Sequence, residues 1–306
     1  MRNKSNLVNY ILLLTGILCI SWSAILVKIA DVSGIASGFY RIFFGTMALI
    51  PFWLYYKKPG ADAHSIRIAI ICGVLFACDI ALWNTSIMLS KASVSTLLAN
   101  LAPVWVGLGA LLFIKEKPGK LFWPGTIIAL AGVVVIVGSE QIFNTGLNTG
   151  NILAILASMF YGAYLLTVRR GRSKLDTFSF TAYSMMASTV TIGIIAGFSG
   201  VDMWGFETKS WLALIALGLI PQVVGWLTIN QALGHISPDI ASVSLLSQTV
   251  FTALFSVPVL GEMLTFNEII GSVVVLAGIV LVNLKNIGFK RKKRQENIPA
   301  SFRDYT

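Results

Sequence analysis

The sequence predicts an all-α membrane protein with ten transmembrane helices in two inverted five-helix repeats. Three observations lead there. The composition is too apolar for a water-soluble core, the apolar runs are long enough to cross a bilayer, and residues of the first half recur in the second at a fixed offset. Of 306 residues, 56% are hydrophobic and 12% charged, where soluble domains carry about 25% charged residues. Mean hydropathy is +0.80. With lipid as the solvent, backbone groups must be satisfied within helices or a closed barrel. Barrel strands alternate apolar and polar residues. These runs are continuously apolar over about 20 residues, the length a helix needs to span.

The spans fall at roughly 7–30, 35–56, 66–89, 93–114, 121–138, 150–169, 177–198, 209–233, 239–260 and 267–286. The longest connections, around 57–65, 139–149 and 199–208, carry Gly, Pro, Asn or Asp in turn-forming positions. The first run is too long for a cleaved signal peptide and has no small-residue cleavage site ahead of a soluble region, so it is expected to stay as the first span. Cys19, Cys72 and Cys78 lie within apolar runs, are odd in number and lack metal-ligand spacing. They read as small buried hydrophobes. Residues 287–306 form a basic cytoplasmic tail expected to be disordered.

Charge sets the orientation, because cytoplasmic loops carry an excess of Lys and Arg. With the N-terminus in the cytoplasm, the inner segments hold nineteen basic residues, while the outer ends hold three, Lys28, Lys91 and Lys209. This alternation requires an even number of spans, so both termini are expected in the cytoplasm. The net charge of +10 is then a rim facing anionic headgroups and calls for no nucleic acid. The basic run from Lys290 to Arg294 reads as a topology anchor.

At an offset of 146, Asn84 aligns with Asn230, Glu116 with Glu262, Gly125 with Gly271, and Leu130-Ala131-Gly132 with Leu276-Ala277-Gly278. Nearer the start of each half, Trp22-Ser23-Ala24 sits over Tyr161-Gly162-Ala163 at an offset of 139. Each half holds an odd number of spans, so the second half must enter the membrane upside down relative to the first. Inverted repeats of this kind are typical of secondary transporters, whose substrate sites lie near the midplane between the repeats. Each Glu reads first as a charge near the N-terminus of the following helix, where the dipole favours it.

The chain resembles the drug/metabolite transporter superfamily and, within it, the EamA-type carriers. The residues that carry the resemblance are Ser21-Trp22-Ser23-Ala24, Tyr40-Arg41, Pro103, the turns at Glu116 and Leu260-Gly261-Glu262, and the two Leu-Ala-Gly stretches. Lys115-Glu116-Lys117 departs from the more usual Gly-Glu-Arg. The resemblance covers residues 7–286, with 7–138 and 150–286 as the two EamA-type five-helix repeats. It implies transport of small metabolites by alternating access, as in amino-acid or metabolite exporters, in the bacterial cytoplasmic (inner) membrane.

Charge inside lipid is costly and usually functional. Only Arg41 and Asp79 lie well inside a span, at depths differing by about 6 Å at 1.5 Å per residue. They are expected either to pair structurally or to act separately, with Arg41 on a substrate carboxylate and Asp79 on an ammonium or a coupling proton. Helical spacing groups other polar and aromatic residues onto shared faces: Asp79 with Trp83, Tyr161 with Tyr164, Gln222 with Trp226 and Asn230, and Ser244 with Gln248. Together with Trp22, Asn84 and Asn100 they form the expected substrate site, the alternative for any one amide being interhelical hydrogen bonding. Trp105 is a further wall candidate. Pro103, Pro221 and Pro258 mark kinks, read as hinges or fixed bends.

His64 in a loop and His235 at a span end leave no basis for a metal site or a His-based triad, and no P-loop suggests ATP drive. The expected activity is therefore not enzymatic and uses no cofactor. It is a secondary transporter moving a small polar or amphipathic metabolite, an amino acid or derivative, in the export direction. Its partners are the bilayer, the small-molecule substrate and protons. A passive facilitator or channel is the alternative.

Overall fold

The computed structural model describes residues 2–56, 62–89, 92–115, 117–137, 148–172, 175–260 and 265–296. The aligned glutamates Glu116 and Glu262, and residues 297–306 of the tail, lie outside them. Continuous apolar runs without strand periodicity fold as helices. In chain order these are α1 (Arg2–Ala30), α2 (Gly34–Tyr56), α3 (Ala63–Leu89), α4 (Ala92–Ala99), α5 (Ala102–Gly109), α6 (Phe122–Val137), α7 (Thr149–Gly171), α8 (Thr177–Ser199), α9 (Thr208–Leu217), α10 (Trp226–Leu233), α11 (Pro238–Leu245), α12 (Ser247–Leu260) and α13 (Phe266–Glu296). Two π-helical segments, π1 (Ala110–Ile114) and π2 (Gly218–Gly225), extend α5 and join α9 to α10. Among the described residues, eight helical stretches are long and apolar enough to cross a membrane, and Leu97–Phe113 and Phe122–Ile136 are shorter apolar ones. The fold is thus an all-α, multi-spanning membrane fold.

Its surface and interior are those of a protein in lipid. Phe113, Phe198, Leu212 and Val273 point outward, while Thr46, Thr181, Ser188, Gln222 and Asn230 are buried. In water this would be inverted. Here the buried hydroxyls join helices: Ser188 donates to the Gly73 carbonyl at 2.7 Å, and the Thr46 and Thr189 hydroxyls meet at 2.8 Å. Helix ends are closed locally. Asn148 and Asp176 accept from the backbone of Asn151 and Ser179 at the starts of α7 and α8. Thr265 and Glu268 form a reciprocal capping box at the start of α13.

Three interruptions break this regularity. Between α4 and α5, Asn100 and Leu101 donate backward to Leu97 and Leu98, three residues away rather than four. Pro103 withholds the N–H that would bond the Ala99 carbonyl. At Leu246, between α11 and α12, the same short pattern recurs, with Leu246 donating to Val243 and Thr249 to Leu246. The positions 100 and 246 stand 146 residues apart, the offset that aligns the two halves. The third interruption is π2, which contains Pro221. Pro258 lies inside α12 without ending it.

The α13 helix continues through Glu296, so residues 287–296 are helical where the sequence suggested disorder. Beyond Ile287, Gly288 and Phe289 this stretch carries Lys, Arg, Gln and Glu, which are good helix formers, and the next proline is Pro299.

The α6 and α13 helices pack antiparallel along glycines. A Cβ at Gly132 would stand 2.5 Å from the Val275 nitrogen and 2.7 Å from the Gly271 oxygen, and one at Gly278 would stand 2.6 Å from the Gly125 oxygen. Gly132 faces Gly271, and Gly125 faces Gly278, so each aligned glycine meets the counterpart of the other. Gly132→Leu is therefore expected to lower stability by about 1–3 kcal/mol through overpacking, read as a lower melting temperature in detergent. An unchanged melting temperature would show that the two backbones are free to part.

Candidate functional site

A cavity of about 490 Å³ lies at the centre of the bundle. Its walls come from α1, α2, α3, the α4–α5 break, α6, α7, α10, α12 and α13. The mouth is at the end of the bundle where Lys28 ends α1, Ser256 lies late in α12 and Glu268 opens α13. The floor, half-way down, is aromatic. Trp226 stands edge-on to Phe76 at 4.8 Å between ring centroids, and nearly perpendicular to Tyr161 at 6.0 Å and Tyr164 at 5.4 Å. Edge-to-face contacts of this kind hold the rings in fixed orientation.

Arg41 enters the cavity from α2. Its side chain is 7% exposed, and its Nε donates to Gln222 Oε1 at 2.9 Å. That is its hydrogen bond among the described residues, so the Nη groups are left for the cavity. Gln222 is 1% exposed and is carried by π2, whose wider turn sets it across from Arg41. Asp79 faces the same cavity from α3 without forming a direct ion pair with Arg41. Two cations, Lys28 and Arg41, and two carboxylates, Asp79 and Glu268, thus line a single chamber.

Four polar atoms of residues that line the cavity are buried and find no hydrogen-bond partner among the described residues: Ser23 Oγ, Trp83 Nε1, Asn100 Nδ2 and Trp226 Nε1. Buried polar groups are nearly always hydrogen-bonded, and each exception costs about 1–3 kcal/mol. The indole and amide nitrogens can only donate. These atoms are sealed from open space, so the donors that face the chamber are the Arg41 Nη groups.

Of the residues expected at the site, Arg41, Asp79, Trp83, Asn100, Tyr161, Trp226 and Gln248 line this cavity. Trp22 does not; it stacks on Phe255 at 5.1 Å, between α1 and α12. Trp105 donates to the Ser158 hydroxyl at 2.7 Å, joining α5 to α7. Asn84 donates to the Gly34 carbonyl and ties α3 to the start of α2. Tyr164 and Asn230 lie beneath the floor, the Tyr164 hydroxyl donating to Asn230 Oδ1 at 2.8 Å and Asn230 Nδ2 to Thr181 at 3.3 Å. Gln222 reaches the cavity only through Arg41.

The sequence reading did not select Ser23, Lys28, Thr249, Thr252, Ser256 or Glu268, all of which line the cavity. Some signals were available. Gln248, Thr252 and Ser256 recur every four residues on one helical face, and Thr265-Phe266-Asn267-Glu268 carries the capping-box spacing.

The EamA-like transporter family matches residues 7–138 and 148–284. An uncharacterized transporter, YdfC, of Bacillus subtilis is 25% identical over 247 residues, covering 80% of each chain. A probable terminal-alkyne amino-acid exporter of Streptantibioticus cattleyicolor is 22% identical over 208 residues, covering 66% of this chain and 67% of that one. An S-adenosylmethionine uptake transporter of Rickettsia conorii is 20% identical over 152 residues, half of this chain and 51% of that one. A solved crystal structure superposes with a TM-score of 0.76 at 18% identity, covering 93% of this chain and 98% of the other. With both halves matched, the chain belongs to the EamA-like transporter family.

Proposed function

We propose that the chain is a secondary carrier that moves a small polar or amphipathic metabolite, an amino acid or derivative, outward by alternating access. The observation that carries this reading is the single chamber in which the Arg41 guanidinium, an aromatic floor and charged side chains of both signs converge. Arg41 would take the substrate carboxylate on its Nη groups, with Gln222 holding the guanidinium in aim, and Asp79 would take the ammonium or a coupling proton. An aromatic floor suits the apolar part of an amphipathic molecule. Two of the relatives named above move amino-acid derivatives, in opposite directions, which favours the substrate class more than the direction.

The same reading takes the chain as ten spans in two inverted repeats, 7–138 and 150–286, with a basic tail at 287–306. Three facts support it: the reciprocal glycine contacts of α6 and α13, the paired interruptions at 100 and 246, and the alternation of basic residues. A two-fold axis between antiparallel helices produces such reciprocal contacts, and matched broken helices are a mark of inverted-repeat carriers. With both termini in the cytoplasm of a bacterial inner membrane, the mouth at Lys28 and Glu268 faces outward. A reporter fused after Thr306 is then expected to fluoresce as a cytoplasmic green fluorescent protein and to be silent as alkaline phosphatase. The opposite pattern would reverse the orientation.

Counterflow in proteoliposomes tests the carrier. Lumens loaded with unlabelled amino acids and metabolites are expected to accumulate the matching label transiently, for one substrate class. Uptake that equilibrates regardless of preload points to a passive facilitator, and silence across the panel sinks the carrier reading. In the same assay Arg41→Gln is expected to weaken substrate affinity by roughly tenfold or more, the loss of a hydrogen bond to a charged group being about 1.5–3 kcal/mol. Asp79→Asn is expected to keep exchange while losing accumulation driven by a pH gradient. If the variant accumulates substrate as the parent does, Asp79 is not the proton carrier.

A further inference from the structure

Below the aromatic floor, at the end of the bundle away from the mouth, one guanidinium joins three helices. Arg172 follows the last residue of α7. Its Nε donates to the Asn230 carbonyl at 3.2 Å and its Nη2 to Gln231 Oε1 at 2.9 Å, both on α10. Its Nη1 donates to the Leu175 carbonyl in its own turn, and the Thr177 hydroxyl of α8 donates to the same Gln231 oxygen. Asn230 is held from above by Tyr164 and Thr181. The last turn of α10 is therefore tied to the α7–α8 turn by charge-assisted bonds.

The mouth end has a weaker tie in the matching place. Asn84, which aligns with Asn230, donates a neutral amide bond to the Gly34 carbonyl at the start of α2. The residue matching Arg172 at the offset of 139 is Ser33, whose hydroxyl only caps its own helix by accepting from Ala36 N at 3.2 Å. Hydrogen bonds from a charged donor are roughly twice as strong as neutral ones. The structure is open where the tie is neutral and closed where it is charged.

We propose that Arg172 is the latch of the gate that closes the cavity on the side away from its mouth. The inference rests on the alternating-access reading above. To open this end, α10 must part from α7 and α8. That motion breaks the two bonds to α10 and leaves the bond to Leu175, so the side chain stays with its own turn, ready to engage again. Arg172 is half-buried and lies just beyond the span, so water can take the place of the lost acceptors. Burial draws its pKa down from the usual arginine range, and the Asp176 carboxylate opposes that shift.

Cysteine labelling in membranes tests this without a substrate. In a background with Cys19, Cys72 and Cys78 replaced by alanine, one reporter is Ser256→Cys at the mouth and the other Ala232→Cys, fully buried on α10 at the latched end. Arg172→Gln is expected to raise maleimide labelling of the Ala232→Cys reporter and lower that of the Ser256→Cys reporter, each by about threefold or more, as a shift between two states requires. Gln231→Leu, which removes the acceptor and keeps the arginine, is expected to move both reporters in the same directions by less, and it decides the matter if the arginine variant fails to reach the membrane. Both reporters rising together is the signature of a loosened structural staple and overturns the proposal, as does no change or the reverse shift. Opposite shifts with silent counterflow would keep the latch and sink the carrier reading, whereas counterflow with unmoved reporters would do the converse.

Discussion

Lipid accepts and donates no hydrogen bonds, and the rest of the structure depends on that constraint. A backbone in hydrocarbon must satisfy itself, so any departure from the helix has to be buried in protein or turned toward a wet chamber. All three interruptions obey this. Ala99 and Asn100 reach the cavity at the first, Gln248 and Thr249 reach it just past Leu246 at the second, and Trp226 directly follows π2 at the third. The chamber and the broken helices are one feature seen from two sides. Each break exposes polar groups that the chamber makes tolerable, and the chamber gets its polar lining from the breaks.

The same constraint explains the distribution of charge. A guanidinium as buried as Arg41 is costly unless its donors are used and an opposite charge is near. Gln222 takes one donor at 2.9 Å, and Asp79 supplies the opposite charge in the same chamber. The two form no direct ion pair, so each keeps polar atoms that a third party could reach. With Lys28 and Glu268 at the mouth, the described lining of the chamber includes two basic and two acidic side chains.

The fold was legible because hydropathy and charge act over about 20 residues, a scale on which single errors average out. Parts of the site were legible for a different reason: Arg41 and Asp79 stand out wherever they fold, since charge in a span is rare. Helical spacing found Trp226 but also swept in Asn230, one turn further down and beneath the floor. Trp22 and Ser23 are neighbours on α1, and the sequence favoured the larger side chain. The structure turns Ser23 to the chamber and Trp22 to Phe255. That choice depends on how α1 is rotated against α12, which no local pattern encodes. Leu246 carries no proline or glycine to announce its break, so only its offset from Asn100 could have drawn attention to it.

The interruption at Leu246 also sets a mechanical ratio. The 14 residues of α12 beyond it form a rigid arm, about 21 Å long at 1.5 Å per residue. The corresponding arm on the mouth side of Asn100 is α4, with 8 residues, about 12 Å long by the same rise. A swivel of about ten degrees at each joint would sweep the tip of α12 through roughly 4 Å and that of α4 through roughly 2 Å. Two fulcrums 146 residues apart would thus drive levers of unequal reach, and the width of the entrance would answer mainly to the longer one.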